Sequence, residues 1–197
     1  MEVFFINLIY YVNVAIIGLI VAAIVLILLR LLLNYADLNP FSRPVMFVRN
    51  LTDPFINPVR RSLLGFGFAP NMAPLVTILI VILVGWLAVR LSDDVLGTIG
   101  GVFLRAREGR IVALVGTLLY GFLSVYSMLI LIRIIFSWGM VSYANPVMRF
   151  LVNATEPLLG PLRRIIPPLG PFDISALVAF LLIWLFQAAI AGTLLRF

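Results

Sequence analysis

The groups able to do chemistry in this chain are few, and they come in matched sets. "TDPFINPVRR" (52–61) and "TEPLLGPLRR" (155–164) each hold a threonine, a carboxylate, two prolines four apart and an arginine pair. Asp53, Glu156 and a third acid, Asp173, could do acid–base work, but no nucleophile, metal cluster or phosphate-cradling glycine loop accompanies them. Gly97, Gly100 and Gly101 spell a loop and no nucleotide motif. With no cysteine and no histidine, the chain has no disulfide, no thiolate zinc site, no Cys or His catalysis and no His-ligated haem. What remains is charge recognition. Arg60-Arg61 and Arg163-Arg164 suit anionic lipid headgroups or the carboxylates of a partner protein; the plainer reading makes them topology anchors at the membrane surface. No enzyme activity, cofactor, metal or nucleic-acid partner is expected.

The elements that must position these groups are membrane helices. Of 197 residues, 63% are hydrophobic and 11% charged, whereas a soluble domain carries about 25% charged residues. The mean hydropathy is +1.19. Four apolar runs, roughly 3–33, 72–91, 111–138 and 174–195, reach the length of about 20 residues that a span needs. The first run is too long for a signal peptide and has no small-x-small cleavage site after it, so it reads as a span. All fourteen basic residues are arginine, as a GC-rich genome would also produce.

The two polar segments belong to a longer duplication. A shift of 103 residues lays Arg30 on Arg133, Asp53 on Glu156, Pro54 on Pro157, Pro58 on Pro161 and Arg60-Arg61 on Arg163-Arg164. Residues 1–91 form the first copy, 92–110 a connector and 111–197 the second copy. The expected fold is an all-α membrane protein, with four transmembrane helices as two tandem helical hairpins. Each hairpin carries an amphipathic interfacial helix and a Pro-rich loop. Two spans per copy let both copies enter the membrane the same way, related by an axis along the membrane normal. Nine arginines fall on the side of the two long loops and five on the other, which favours those loops inside and both termini outside.

Within the loops, 146–156 shows a helical period, with Val147, Phe150, Leu151 and Ala154 opposite Arg149, Asn153 and Glu156. Asn145 suits an N-cap and Pro146 the first helical position. Residues 44–53 form a weaker version. Such helices lie in the bilayer interface or plug the bundle from below. Pro54 and Pro157 are expected to end them, and Pro58 and Pro161 to keep the chain extended or turned beyond. Arg30 and Arg133 sit about one turn inside apolar runs; each either snorkels to the headgroups or has a partner. The expected partner of Arg133 is Asp173 or Glu156, and that of Arg30 is Asp53, since Asn71 stands near where Asp173 does in the second copy. The connector is expected to be an exposed linker with one short helix near 102–107. Gly18/Ala22 and Ala188/Gly192 offer small-residue pairs for helix contacts.

"LIRIIFSW" (131–138) followed by "NPVMRFLVNATEPLLGPLRRIIPPLGPFDISALV" (145–178) closely resembles the YggT family, also called YlmG. The second copy matches the family pattern throughout, from Arg133, Ser137 and Trp138 through Thr155, Pro157, Pro161, Arg163 and Arg164 to Asp173 and Ser175. The first copy keeps Arg30, Thr52, Asp53, Pro54, Pro58, Arg60 and Arg61 and lacks the Ser-Trp and Pro-Pro elements. The resemblance implies a bacterial inner-membrane location. It links the chain to relatives involved in haem attachment to a cytochrome, in division, and in osmotic or potassium stress, and it establishes no reaction. Two functions follow: a non-catalytic scaffold, assembly factor or accessory subunit of a larger membrane complex, or a small oligomeric channel or transporter serving osmotic and ion homeostasis.

Overall fold

The computed structural model describes residues 2–36, 42–65, 67, 69–138, 141–166 and 174–196. Among these residues the chain is all helix: α1 (Glu2–Tyr35), α2 (Arg43–Gly65), a 3-10 turn (Pro70–Met72), α3 (Ala73–Arg107), α4 (Ile111–Trp138), α5 (Pro146–Ile165) and α6 (Ile174–Gly192). Four of these helices, α1, α3 (with the 3-10 turn), α4 and α6, are long and apolar enough to cross a membrane. Side chains such as Leu19, Leu79, Leu177 and Trp184 lie exposed along them, as lipid-facing positions do. Asp173 and the Pro167-Pro168 pair lie outside the described residues.

One boundary differs from the sequence expectation. The connector is no linker, because α3 continues through it to Arg107. At 35 residues the helix is about 52 Å long, well beyond the roughly 30 Å of a hydrocarbon core. The reason is visible in the sequence once the glycines are discounted. Leu91, Val95, Ile99 and Val102 keep a three-to-four spacing and no proline interrupts 91–107. Glycine here allows close approach instead of breaking the helix. A Cβ on Gly100 would stand 3.0 Å from the Phe5 ring, and Phe5 stacks on Phe103 with centroids 5.7 Å apart. The helix stops at a Schellman turn: Arg110 N donates to Arg105 O at 3.0 Å, Gly109 N donates to Ala106 O at 3.3 Å, and Gly109 takes φ 71°.

The chain divides into two units, 10–90 and 91–197 with 1–9. In the first, buried Ile27 of α1, Ile56 of α2 and Ala73 of α3 form the core, flanked by Leu63, Ile78 and Val81. In the second, buried Ile130 of α4, Leu159 of α5 and Ala176, Ala179 and Ile183 of α6 do so. Ile27, Ile56 and Ala73 stand 103 residues before Ile130, Leu159 and Ala176. In the second unit α6 is also tied to α4 by a polar bond, Gln187 Nε2 donating to Ser124 Oγ at 2.8 Å. The expected Gly18 and Gly192 contacts are not made within the described chain, as a Cβ on either would meet nothing within 4 Å.

Candidate functional site

The site grows from the polar segments. Asn145 caps α5, its side chain accepting from Val147 N at 2.8 Å with Pro146 in the first turn. From there the helix runs to Ile165 without a break, and α2 likewise runs from Arg43 to Gly65. The prolines therefore do not end these helices. Pro157 and Pro161 lie inside α5 and Pro54 and Pro58 inside α2, all at exposed positions. An interior proline removes one amide bond and costs about 3 kcal/mol, and a residue before proline avoids the α conformation. The residues before Pro54 and Pro157 are Asp53 and Glu156, the carboxylates held by buried arginines. Tertiary pairing overrides the local preference.

In the second unit, Arg133 Nη1 donates to Thr155 Oγ1 at 2.7 Å and Nη2 to Glu156 Oε2 at 2.8 Å. In the first, Arg30 Nη1 donates to Thr52 Oγ1 at 2.8 Å and to Asp53 Oδ1 at 2.6 Å. Each threonine hydroxyl gives its own proton to the carbonyl one turn back, Leu151 O at 2.7 Å and Val48 O at 2.8 Å. The hydroxyl is thus fixed as a donor to the helix and an acceptor for the guanidinium. The arginine side chains are 6% and 4% exposed, while Glu156 and Asp53 are 47% and 38% exposed. Each clamp therefore joins a buried cation to a half-wet acid, with a buried hydroxyl between. Snorkelling to the headgroups does not describe either arginine, because each guanidinium meets a protein acceptor first.

The buried faces of the two helices also correspond. Val45, Val48, Thr52 and Ile56 are buried on α2, and Met148, Leu151, Thr155 and Leu159 on α5. The apolar face read from the period is divided: Val147 and Phe150 are exposed, as side chains turned to the bilayer would be, and Leu151 is buried beside Met148. The stripe that α5 turns into the protein is centred on Thr155, a polar residue held there by Arg133. Phe47, Leu51 and Phe55 of α2 are exposed in the same way.

The arginine pairs sit near the ends of these helices. Arg163 Nη1 lies 3.6 Å from Glu156 Oε2, so Glu156 is shared by a buried and a surface guanidinium. Arg61, Arg163 and Arg164 are exposed, and Arg60 is half-buried. The sequence reading missed Thr52 and Thr155 as part of the site. The available signal was a threonine directly before the acid in both copies. Among the described residues no three His, Cys, Asp or Glu side chains gather as metal ligands.

The sequence model of the CCB3/YggT family matches residues 112–194, which hold the second clamp. The Pseudomonas aeruginosa protein PA0392, itself described as uncharacterized, is 31% identical over 172 residues, 87% of this chain and 83% of that protein. The chain belongs to the CCB3/YggT family. The Escherichia coli K12 protein YggT is 44% identical over 61 residues, 30% of this chain and 32% of its own length. A Vibrio alginolyticus protein from the proC 3′ region is 40% identical over 53 residues, 27% of this chain and 29% of its own. No solved structure matches this chain.

Proposed function

We propose that this YggT-family protein is a non-catalytic scaffold or assembly factor, or an accessory subunit of a larger complex, in the bacterial inner membrane. It is built as two tandem copies of a two-span hairpin, each bracing an amphipathic helix at the bilayer interface. The observation that carries this reading is the clamp itself. The most buried charged groups of the repeated segments, Arg30 and Arg133, are spent on holding a helix (2.6–2.8 Å to Thr52, Asp53, Thr155 and Glu156). A helix braced this way presents an exposed apolar flank, Val147 and Phe150, beside a polar edge ending in Arg163-Arg164. That surface suits acyl chains below, and phosphates or a partner's carboxylates above. Purification in mild detergent tests it. The wild type should retain anionic lipid and a stoichiometric membrane-protein partner. Arg163→Gln with Arg164→Gln should lose both while inserting normally; unchanged recovery leaves the arginines as topology anchors only.

The transporter reading is favoured by one observation. Within the second unit a cavity of about 250 Å³ is lined by Asp93, Asp94, Thr98, Thr117, Tyr120 and Ser124, with the cation of Arg105 also on its wall. Carboxylates and hydroxyls in a membrane bundle are the side chains from which ion paths are made. Cation flux from protein-loaded liposomes, abolished by Asp94→Asn, would establish it. Flux no greater than that of empty liposomes would dismiss it.

A further inference from the structure

We propose that the outer face of α2 is a binding groove for an amine-bearing phospholipid headgroup, with phosphatidylethanolamine as the simplest fit. The inference rests on the interfacial placement of α2 given above. The groove, about 490 Å³, is lined by Asn50, Asp53, Pro54, Asn57, Pro58 and Arg61. These residues recur every three or four positions, so they form one stripe along the helix.

The chemistry of the stripe is divided. One end is rich in acceptors. Pro54 and Pro58 have no N–H, so the carbonyls of Asn50 and Pro54, four residues before them, lose their helical donors. Asp53 adds a half-exposed carboxylate whose Oδ1 is held by Arg30 at 2.6 Å. Carbonyls and a carboxylate together call for a ligand with several N–H donors and a positive charge. A primary ammonium has three such donors. The other end is a donor. Arg61 forms no ion pair among the described residues, and its fork matches a phosphate. Asn57 supplies an amide donor between the two, and Asn50 another at the acceptor end. Asp53 and Arg61 lie eight residues apart, about 12 Å of helix, which an extended arginine and a two-carbon amine–phosphate link close between them.

This division excludes the neighbouring headgroups. Choline carries the charge without an N–H for the carbonyls. Glycerol offers hydroxyls and no cation for Asp53, and serine adds a carboxylate that Asp53 repels. The α5 counterpart differs at two points: Gly160 stands where Asn57 does, and Glu156 Oε2 is already shared by Arg133 at 2.8 Å and Arg163 at 3.6 Å. Headgroup selection therefore belongs to the first copy, which keeps less of the family motif.

The test is native mass spectrometry of the full chain released from detergent containing equimolar phosphatidylethanolamine, phosphatidylcholine and phosphatidylglycerol. The wild type should carry several-fold more phosphatidylethanolamine than phosphatidylcholine. Asn57→Leu and Arg61→Gln should bring the two to parity with an unchanged melting profile; neither residue belongs to the clamp. Glycerophosphoethanolamine, without acyl chains, should compete at least ten-fold more weakly; equal competition would make the ligand a soluble amine–phosphate and overturn the lipid assignment. Parity in the wild type, or enrichment that survives both substitutions, overturns the proposal and leaves the interfacial reading intact. Retention of no phospholipid at all overturns both.

Discussion

The hydroxyl of Thr155 stands between Arg133 and the α5 backbone, accepting from the guanidinium at 2.7 Å and donating to Leu151 O at 2.7 Å. Thr52 does the same for Arg30 on α2, at 2.8 Å on both sides. A methyl group in place of the hydroxyl leaves a buried guanidinium N–H without an acceptor, a loss of about 1–3 kcal/mol. Thr155→Val should therefore melt earlier in detergent than the wild type, and Thr155→Ser should recover most of the loss. If Val and Ser melt alike, the hydroxyl does not bridge the two helices.

The charged half of the clamp predicts a coupling. Arg133→Gln and Glu156→Gln should each destabilise, and the double mutant should lose less than their sum by about 1.5–3 kcal/mol, the range of a charge-assisted bond. The larger cost of a fully buried pair, about 3–5 kcal/mol, is not expected, because the Glu156 side chain is 47% exposed and partly screened. Additive losses in the cycle would mean that the contact contributes nothing.

Prolines inside α5 give a sign test. Pro157→Ala restores an amide donor to the carbonyl of Asn153 in an exposed stretch of helix, where proline is about 3 kcal/mol worse than alanine. The variant should melt at or above the wild-type temperature. A stiff extended segment would respond the other way, losing about 0.4–1 kcal/mol as the unfolded chain gained freedom.

How far the sequence could be read follows from what each residue depends on. The spans were legible because twenty apolar residues in a row have one meaning in any context. Arg30 with Asp53 was legible because an arginine inside an apolar run needs an acceptor; for Arg133 the same argument offered Asp173 or Glu156, and Glu156 is the one bonded. The prolines misled, since a residue before proline resists the helix locally, and at Asp53 and Glu156 a distant arginine overrules it. The protein-facing stripe of α5 was not legible: Thr155 counts as polar in a periodicity reading, yet it is fully buried. The helical continuation through 91–107 was hidden by Gly97, Gly100 and Gly101, which read as loop residues until Phe5 is seen packed on Gly100.

Topology is a separate prediction. Single cysteines at Ser62, Glu108 and Ile165, all exposed positions, would be labelled with an impermeant maleimide in intact cells. The arginine distribution predicts labelling at 108 alone. Labelling at 62 and 165 with none at 108 would reverse the orientation.

The central claim is that the clamps hold α2 and α5 in the bilayer interface, and the depth of Phe150 tests it most directly. Nitroxides at Phe150→Cys and Asn153→Cys in lipid vesicles would be compared for collision with oxygen, which concentrates in hydrocarbon, and with a nickel chelate, which stays in water. The label at 150 should be oxygen-accessible and the label at 153 nickel-accessible, with loss of the difference when Arg133→Gln is added. Two labels equally open to nickel, or two shielded from both reagents as in a plug beneath the bundle, would contradict it.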